Sequence, residues 1–307
     1  MKCLVTGGCG FIGSHIAEDL VRQGHSVRIY DNLASGFVRN IDGIRKDVEF
    51  IEADIRDVPR LQGALKDVEC IFHEAALVSV FDSIERPLDN NDINITGTLN
   101  VLTSALQAGA RRVVMAASAA AYGNNPELPK REDMRPEPES PYGVAKVADE
   151  CYMAVFARIY KVETVALRYF NVYGPRQNPS SMYSGVISKF TDTILKGENP
   201  TVFGDGKQTR DFVFVKDVVQ ANLLAMTASK AGKGEIFNVG TSRATSLLDL
   251  LDALKTLIGR NFTVQFKPAR AGDIRHSVAD ISLARSVLGY TPRFDILQGL
   301  KELLASS

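Results

Sequence analysis

The stretch Lys2-Cys3-Leu4-Val5-Thr6-Gly7-Gly8-Cys9-Gly10-Phe11-Ile12-Gly13 decides the fold. Met1–Thr6 reads as a buried strand, and Phe11–Gln23 reads as a helix with Ile12, Ile16 and Leu20 on one face, ended by Gly24. Between them, glycines at 7, 10 and 13 allow a tight turn, close approach of a pyrophosphate and close helix–strand packing. The following helix would present free N–H groups and a partial positive charge to that anion. The spacing is GxxGxxG rather than the common GxGxxG, so the position of the motif between strand and helix carries the signal.

Working outward, Ser26–Tyr30, Val48–Glu52, Cys70–Phe72, Arg112–Ala116 and Thr164–Leu167 are further strand candidates. Helical patterns span Asn94–Gln107 and Tyr142–Ile159, and a polar loop covers Gly123–Pro141. This alternation predicts an α/β fold, a doubly wound parallel Rossmann sheet with a smaller mixed α/β C-terminal domain. Residues 1–168 would form the cofactor domain, with segments near 213–240 returning to it, and 169–307 mainly the second domain. Asn171–Tyr183, rich in Gly, Pro, Asn and Ser, reads as a binding loop.

Asp31 ends the second candidate strand, where an acid accepts hydrogen bonds from an adenosine ribose and repels a 2′-phosphate. No arginine directly follows it, which favours NAD over NADP. Tyr142 and Lys146 lie four residues apart in a predicted helix and so share a face. A phenol is a poor base near neutral pH, and an adjacent ammonium and a positive nicotinamide ring favour the phenolate. Ser118 ends a predicted strand in the same chain. His73 ends a core strand without a carboxylate or cysteine at ligand spacing and reads as structural, while Tyr122 and Tyr169 read as pocket-shaping.

Composition narrows the partners. The 36 basic and 36 acidic side chains cancel, so no global field recruits nucleic acid or an anionic membrane. No apolar run approaches the ~20 residues of a membrane span. The four cysteines are scattered without metal-like spacing, so no metal site is expected and a reducing cytoplasm is.

The chain resembles the extended short-chain dehydrogenase/reductase superfamily, specifically its nucleotide-sugar 4-epimerases. The resemblance rests on TGGCGFIG, YDNLASG, FHEAA, NITGTLNVL, SAAAYG, SPYGVAK, LRYFNVYGPRQ, GDGKQTRDFV, FNVG and RAGDIRHSVAD, in order along nearly the whole chain. It implies bound NAD, with Tyr142 as acid/base, Lys146 on the nicotinamide ribose and Ser118 on the sugar hydroxyl. It further implies that Gly7, Gly10, Phe11, Ile12, Gly13, Asp31, Asn32, Ser35, Gly36, Asp54, Ile55, Ala75, Ala76 and Asn94 touch the cofactor. The substrate would meet Ser79, Ser118, Tyr142, Asn171, Val186, Lys189, Thr201, Phe203, Arg210, Arg270, Asp273 and Ser277. Apolar faces on the two helices named above resemble the family's dimer interface and imply a homodimer.

The residues after the serine discriminate among the family's reactions. Dehydratases and decarboxylases resembling this chain carry an acid there, whereas Ser118 is followed by Ala119, Ala120 and Ala121, none of which can donate a proton. Reversible oxidation at C4 through a 4-keto sugar, hence 4-epimerisation of a UDP-hexose, is what remains. Ser277, where a bulky residue would crowd an N-acetyl group, favours the UDP-N-acetylglucosamine/UDP-N-acetylgalactosamine pair, with UDP-glucose/UDP-galactose also open. Two other readings are a UDP-uronate 4-epimerase, which needs a cation for the carboxylate, and a non-catalytic NAD-binding regulatory protein. The intact Ser118, Tyr142 and Lys146 speak against the last.

Overall fold

The computed structural model describes residues 1–178, 185–269 and 274–306. Seven parallel strands form the central sheet: β1 (Lys2–Thr6), β2 (Ser26–Asp31), β3 (Val48–Glu52), β4 (Cys70–His73), β5 (Arg112–Ser118), β6 (Glu163–Tyr169) and β7 (Lys233–Val239). Their order is β7-β6-β5-β4-β1-β2-β3, all neighbours parallel. The chain therefore winds outward both ways from β1, and the strand order reverses between β1 and β4. A crevice opens at the carboxyl ends of the strands at such a point.

Alternation along β1 explains how the sheet is buried on both faces. Cys3 and Val5 point to one side and join Ile16, Leu20, Val218 and Ala225. Leu4 points to the other and joins Tyr30, Ile71, Val101, Leu102 and Met153. Helix Val215–Thr227 and strand β7 come from the C-terminal half, yet they complete this sheet and its cover.

The expected helix starting at Asn94 is a different object. Asn91–Thr96 is a π-turn, and the α-helix runs Gly97–Ala108 behind it. The widened turn accompanies an inward Asn94 side chain, which accepts from the Leu77 amide at 2.8 Å and donates to the Leu77 carbonyl at 3.0 Å. Similarly, the helix over Pro141–Val155 passes into a π-turn at Phe156–Tyr160.

The remaining elements build a smaller lobe on their own core of Tyr173, Ile187, Phe190, Phe214, Leu250 and Leu300. It carries three two-stranded pairings: Asn171–Tyr173 with Phe212–Phe214, Thr201–Phe203 with Gln265–Lys267, and Thr209–Arg210 with Thr245–Ser246. The expected binding loop thus begins as a strand, because the Asn171 amide donates to the Asp211 carbonyl at 3.0 Å. Among the described residues no helix is long and apolar enough to cross a membrane, and no acid, histidine and cysteine group is gathered to hold a metal.

Candidate active site

Gly7 adopts φ +65°, and a Cβ there would lie 2.7 Å from the Ala75 nitrogen. A Cβ on Gly13 would collide with the Gly7 carbonyl oxygen. The turn is therefore closed to side chains and brings the helix Phe11–Arg22 hard against the strand ends. That helix starts at Gly10 without a side-chain cap, which leaves the Phe11 and Ile12 amides to an anion. Gly36 passes over the Cys9 backbone in the same way.

Asp31 ties two elements together. Its Oδ2 accepts from the Cys9 amide at 2.9 Å and its Oδ1 from the Leu33 amide at 2.7 Å, tying the end of β2 to the glycine turn. Burial pushes the carboxyl pKa upward while these two amides pull it back. Next to it, Asn32 donates to Asp54 Oδ2 at 2.8 Å. The Arg56 guanidinium grips Asp54 and holds its carboxyl at about 2. Ile55 is buried in the core face behind. The uncapped helix, the closed glycine turn and the acid at the end of β2 together fit a dinucleotide.

The floor of the crevice lies at the ends of β4, β5 and β6. His73 is bridged between Thr6 Oγ1 at 2.8 Å and Thr98 Oγ1 at 3.0 Å, and burial, with Lys146 nearby, lowers its pKa to about 3. It is a neutral structural histidine. Ala75 donates to Thr6 Oγ1 at 3.3 Å. Ser118 ends β5, and its Oγ accepts from the Ala120 amide at 3.1 Å.

Tyr142 stands in the first turn of the helix Pro141–Val155, capped by Ser140, whose Oγ accepts from the Gly143 amide. A Cβ on Gly143 would lie 3.0 Å from the Ala120 carbonyl, so this helix start sits against the turn that follows Ser118. The Tyr142 amide donates to Ser83 Oγ at 3.2 Å, and Asn90 donates to the Pro141 carbonyl at 3.0 Å. Ser79 caps the short helix carrying Ser83. Lys146, one turn on and 3% exposed, donates to the Ala116 carbonyl at 2.9 Å. Ser118, Tyr142 and Lys146 are thereby gathered at one strand end.

Reading the sequence alone singles out Tyr169 but misses its partners. Tyr169 donates to Glu74 Oε1 at 2.8 Å and accepts from Asn222 Nδ2 at 2.7 Å. Burial raises the Glu74 carboxyl to about 7, against the pull of Tyr169 and Lys146. It also misses Asp149, buried beside Lys146. HEAA and the interval from Lys146 to Asp149 are visible in the sequence, but only the fold brings Asn222 to Tyr169 and so to the Glu74 pair.

In the smaller lobe, Arg210 ends a two-residue strand and Ser277 lies on the stretch running beside it: the Ser277 amide donates to the Thr209 carbonyl at 3.2 Å. Asn171 and Val186 line one crevice with Gln177. Lys189 follows in the helix Val186–Leu195, and Thr201 and Phe203 bound the strand pairing with Gln265–Lys267. Arg270 and Asp273 lie outside the described residues.

Residues 3–240 match the model of the NAD dependent epimerase/dehydratase family. A UDP-glucose 4-epimerase of Thermotoga maritima, solved with UDP-glucose, is 40% identical with a TM-score of 0.94, covering 100% of this chain and 98% of that one. A UDP-N-acetylglucosamine 4-epimerase of Methanobrevibacter ruminantium, solved with UDP-N-acetylmuramic acid, is 37% identical with a TM-score of 0.95, covering 99% and 97%. A Thermus thermophilus UDP-glucose 4-epimerase in complex with NAD is 36% identical with a TM-score of 0.91, covering 100% and 98%. The chain belongs to the NAD dependent epimerase/dehydratase family, in its nucleotide-sugar 4-epimerase branch. It is an isomerase that works with NAD.

Proposed function

We propose that Ser118, Tyr142 and Lys146 carry the NAD-dependent 4-epimerisation of UDP-hexoses that this chain performs, and that it accepts N-acetylated hexosamines. The observation that supports this most is the packing of the Tyr142 helix start against the turn after Ser118, with Lys146 buried one turn behind. When bound, NAD supplies the oxidant that takes the C4 hydrogen and returns it. Gly7, Gly10, Phe11, Ile12 and Gly13 would hold its pyrophosphate, Asp31, Asn32, Ser35 and Gly36 its adenosine ribose, and Asp54 and Ile55 its adenine. Ala75, Ala76 and Asn94 would border the remainder.

Tyr142 would take the proton of the C4 hydroxyl, with Ser118 hydrogen-bonded to the same oxygen and the Lys146 charge favouring phenolate. Ala119, Ala120 and Ala121 bring no acid to the sugar, so the 4-keto sugar, once turned over, is reduced on its other face rather than dehydrated. Asn171 and Arg210, with Arg270 and Asp273, would grip the uridine diphosphate. Arginine suits that task because its planar donors engage two oxygens at once. Ser79, Val186, Lys189, Thr201 and Phe203 complete the substrate residues of this reading. Residues 1–168, with 213–240, would form the cofactor unit and the rest of 169–307 the sugar-nucleotide unit.

The same reading makes the protein a cytoplasmic homodimer. Val144, Ile159 and Tyr160 are exposed apolar side chains along the Pro141–Val155 helix and its π-turn, and Leu106 is exposed on the neighbouring helix, which suits burial against a second copy. Cys3, Cys9 and Cys70 are buried free thiols, which suits a reducing compartment. Balanced charge gives nucleic acid no part in it.

Proton NMR of the purified protein with UDP-N-acetylglucosamine or UDP-glucose, no cofactor added, tests the reading. Conversion of both to their 4-epimers is expected, and Ser277→Tyr should lose the N-acetylated pair about tenfold or more selectively. Equal loss of both pairs would remove Ser277 as the gate, and no conversion of either sugar, with or without added NAD+, would overturn the reading.

A further inference from the structure

Asp149 is fully buried in the helix that carries Tyr142 and Lys146, and nothing in the reaction described above uses it. Its Oδ2 lies 3.9 Å from the Lys146 ammonium. Neither carboxyl oxygen closes a hydrogen bond of good geometry, although the Thr98 hydroxyl from the helix Gly97–Ala108 acts on it. A buried carboxyl left this way is unusual, because desolvation without full compensation costs free energy. The Lys146 ammonium donates to the Ala116 carbonyl at 2.9 Å rather than to Asp149.

The other groups around it are accounted for. Glu150, on the same helix, is held in a bidentate pair with Arg168 of β6, at 2.7 and 2.8 Å. His73, from β4, is occupied between Thr6 and Thr98 and is neutral. Glu74, which also feels Lys146, is held by Tyr169. Asp149 is thus the acid that Lys146 meets within its own helix and that no other side chain neutralises among the described residues.

We propose that Asp149 is a positioning residue whose proton sets how strongly Lys146 favours the Tyr142 phenolate. The inference rests on the reading of Tyr142 and Lys146 as the reacting pair. With Asp149 protonated, the ammonium acts on Tyr142 unscreened; with Asp149 ionised, the carboxylate 3.9 Å away cancels part of that field. Burial raises the Asp149 carboxyl to about 7, with Lys146 and Thr98 opposing, so the change falls near neutral pH. Ionisation of Tyr142 and of Asp149 then oppose each other, and the two protons leave as a coupled pair over a broadened range.

The test is the phenolate absorbance of the NAD-loaded enzyme followed from pH 5 to 10, with the Tyr142 contribution isolated by subtracting the Tyr142→Phe variant. In Asp149→Asn the ammonium stays unscreened at every pH. Tyr142 is expected to titrate as a single steeper step, displaced toward lower pH by on the order of one unit above neutrality. The pH profile of kcat should follow, coinciding with wild type below pH 6 and rising above it beyond pH 7. Thr98→Val, which removes a group favouring ionised Asp149, should move the divergence to higher pH and serves if Asp149→Asn does not fold. A Tyr142 titration unchanged in the variant that folds would overturn the proposal, since a merely structural role scales amplitude or stability without moving the titration. Full activity in Tyr142→Phe would instead remove the reacting-pair reading itself.

Discussion

The two lobes of this chain are stabilised by different means. In the cofactor half, the candidate site is framed by the ends of strands that are paired on both sides and buried on both faces: Thr6, His73 and Ser118 each end a strand of the seven-stranded sheet. In the smaller lobe, Arg210 ends a two-residue strand held by another two-residue strand and by the backbone near Ser277. The first arrangement fixes positions through the core. The second depends on two short backbone pairings. Chemistry shared across a family tolerates the rigid arrangement, while choice among sugars is more readily retuned on short elements that carry little core.

The largest effect expected from breaking this comparison is on the rigid side. Tyr142→Phe removes one oxygen and leaves the amide bond to Ser83 and the helix cap from Ser140 in place. Turnover should fall by about 10²–10⁴-fold, with NAD content and melting temperature unchanged. Steady-state kinetics beside the absorbance of NAD released on denaturation checks this. Loss of NAD along with activity would mean that the phenol holds the cofactor half together, which the present contacts do not indicate.

A smaller effect is expected where the smaller lobe is tied to the sheet. Asp211 is fully buried and accepts four hydrogen bonds, from the Thr241 amide and hydroxyl on Oδ1 and from the Ser242 and Ala279 amides on Oδ2. It joins the segment after Arg210 to the loop after β7 and to the strand-like stretch beyond Ser277. Burial pushes its carboxyl pKa up while all these donors pull it down. Asp211→Asn turns one acceptor into a donor facing donors and should cost about 1–3 kcal/mol. Urea unfolding should show that loss, and KM for the UDP-sugar should rise while NAD stays bound. A rise in KM without loss of stability would shift Asp211 from scaffold to ligand.

The same contrast explains what was legible in the sequence. The glycine turn, the acid at the end of β2 and the Tyr142–Lys146 spacing are local patterns, fixed by φ/ψ restrictions and by 3.6 residues per turn, and each appears where expected. What escaped is tertiary. Glu74, Tyr169 and Asn222 come from three separate elements, and Asp211 gathers partners from two further segments. The π-turn at Asn91–Thr96 was not legible, because the Leu77 backbone that Asn94 bonds within it lies 17 residues earlier. The two- and three-residue strands of the smaller lobe carry too few side chains to show a period of two, so Asn171–Tyr173 read as loop.

The smallest expected effect tests whether the lobe's order can be read from one helix cap. Ser246 closes the pairing with Thr209–Arg210 and also begins the helix Leu247–Ile258. Its Oγ accepts from the Asp249 amide at 3.1 Å while Asp249 Oδ2 accepts from the Ser246 amide at 3.2 Å, a reciprocal capping box. Ser246→Ala removes one half of it and should cost about 1 kcal/mol, roughly 2 °C in melting temperature for a chain of this size. If the cap only starts the helix, KM for the UDP-sugar will not move. If Arg210 is held in place through Thr245–Ser246, KM will rise by a few-fold at constant kcat and constant NAD content. The second result is expected, because among the described residues the strand bearing Arg210 pairs with the Ser246 strand and the stretch before Ser277, and loosening one of these weakens the backbone that presents the arginine.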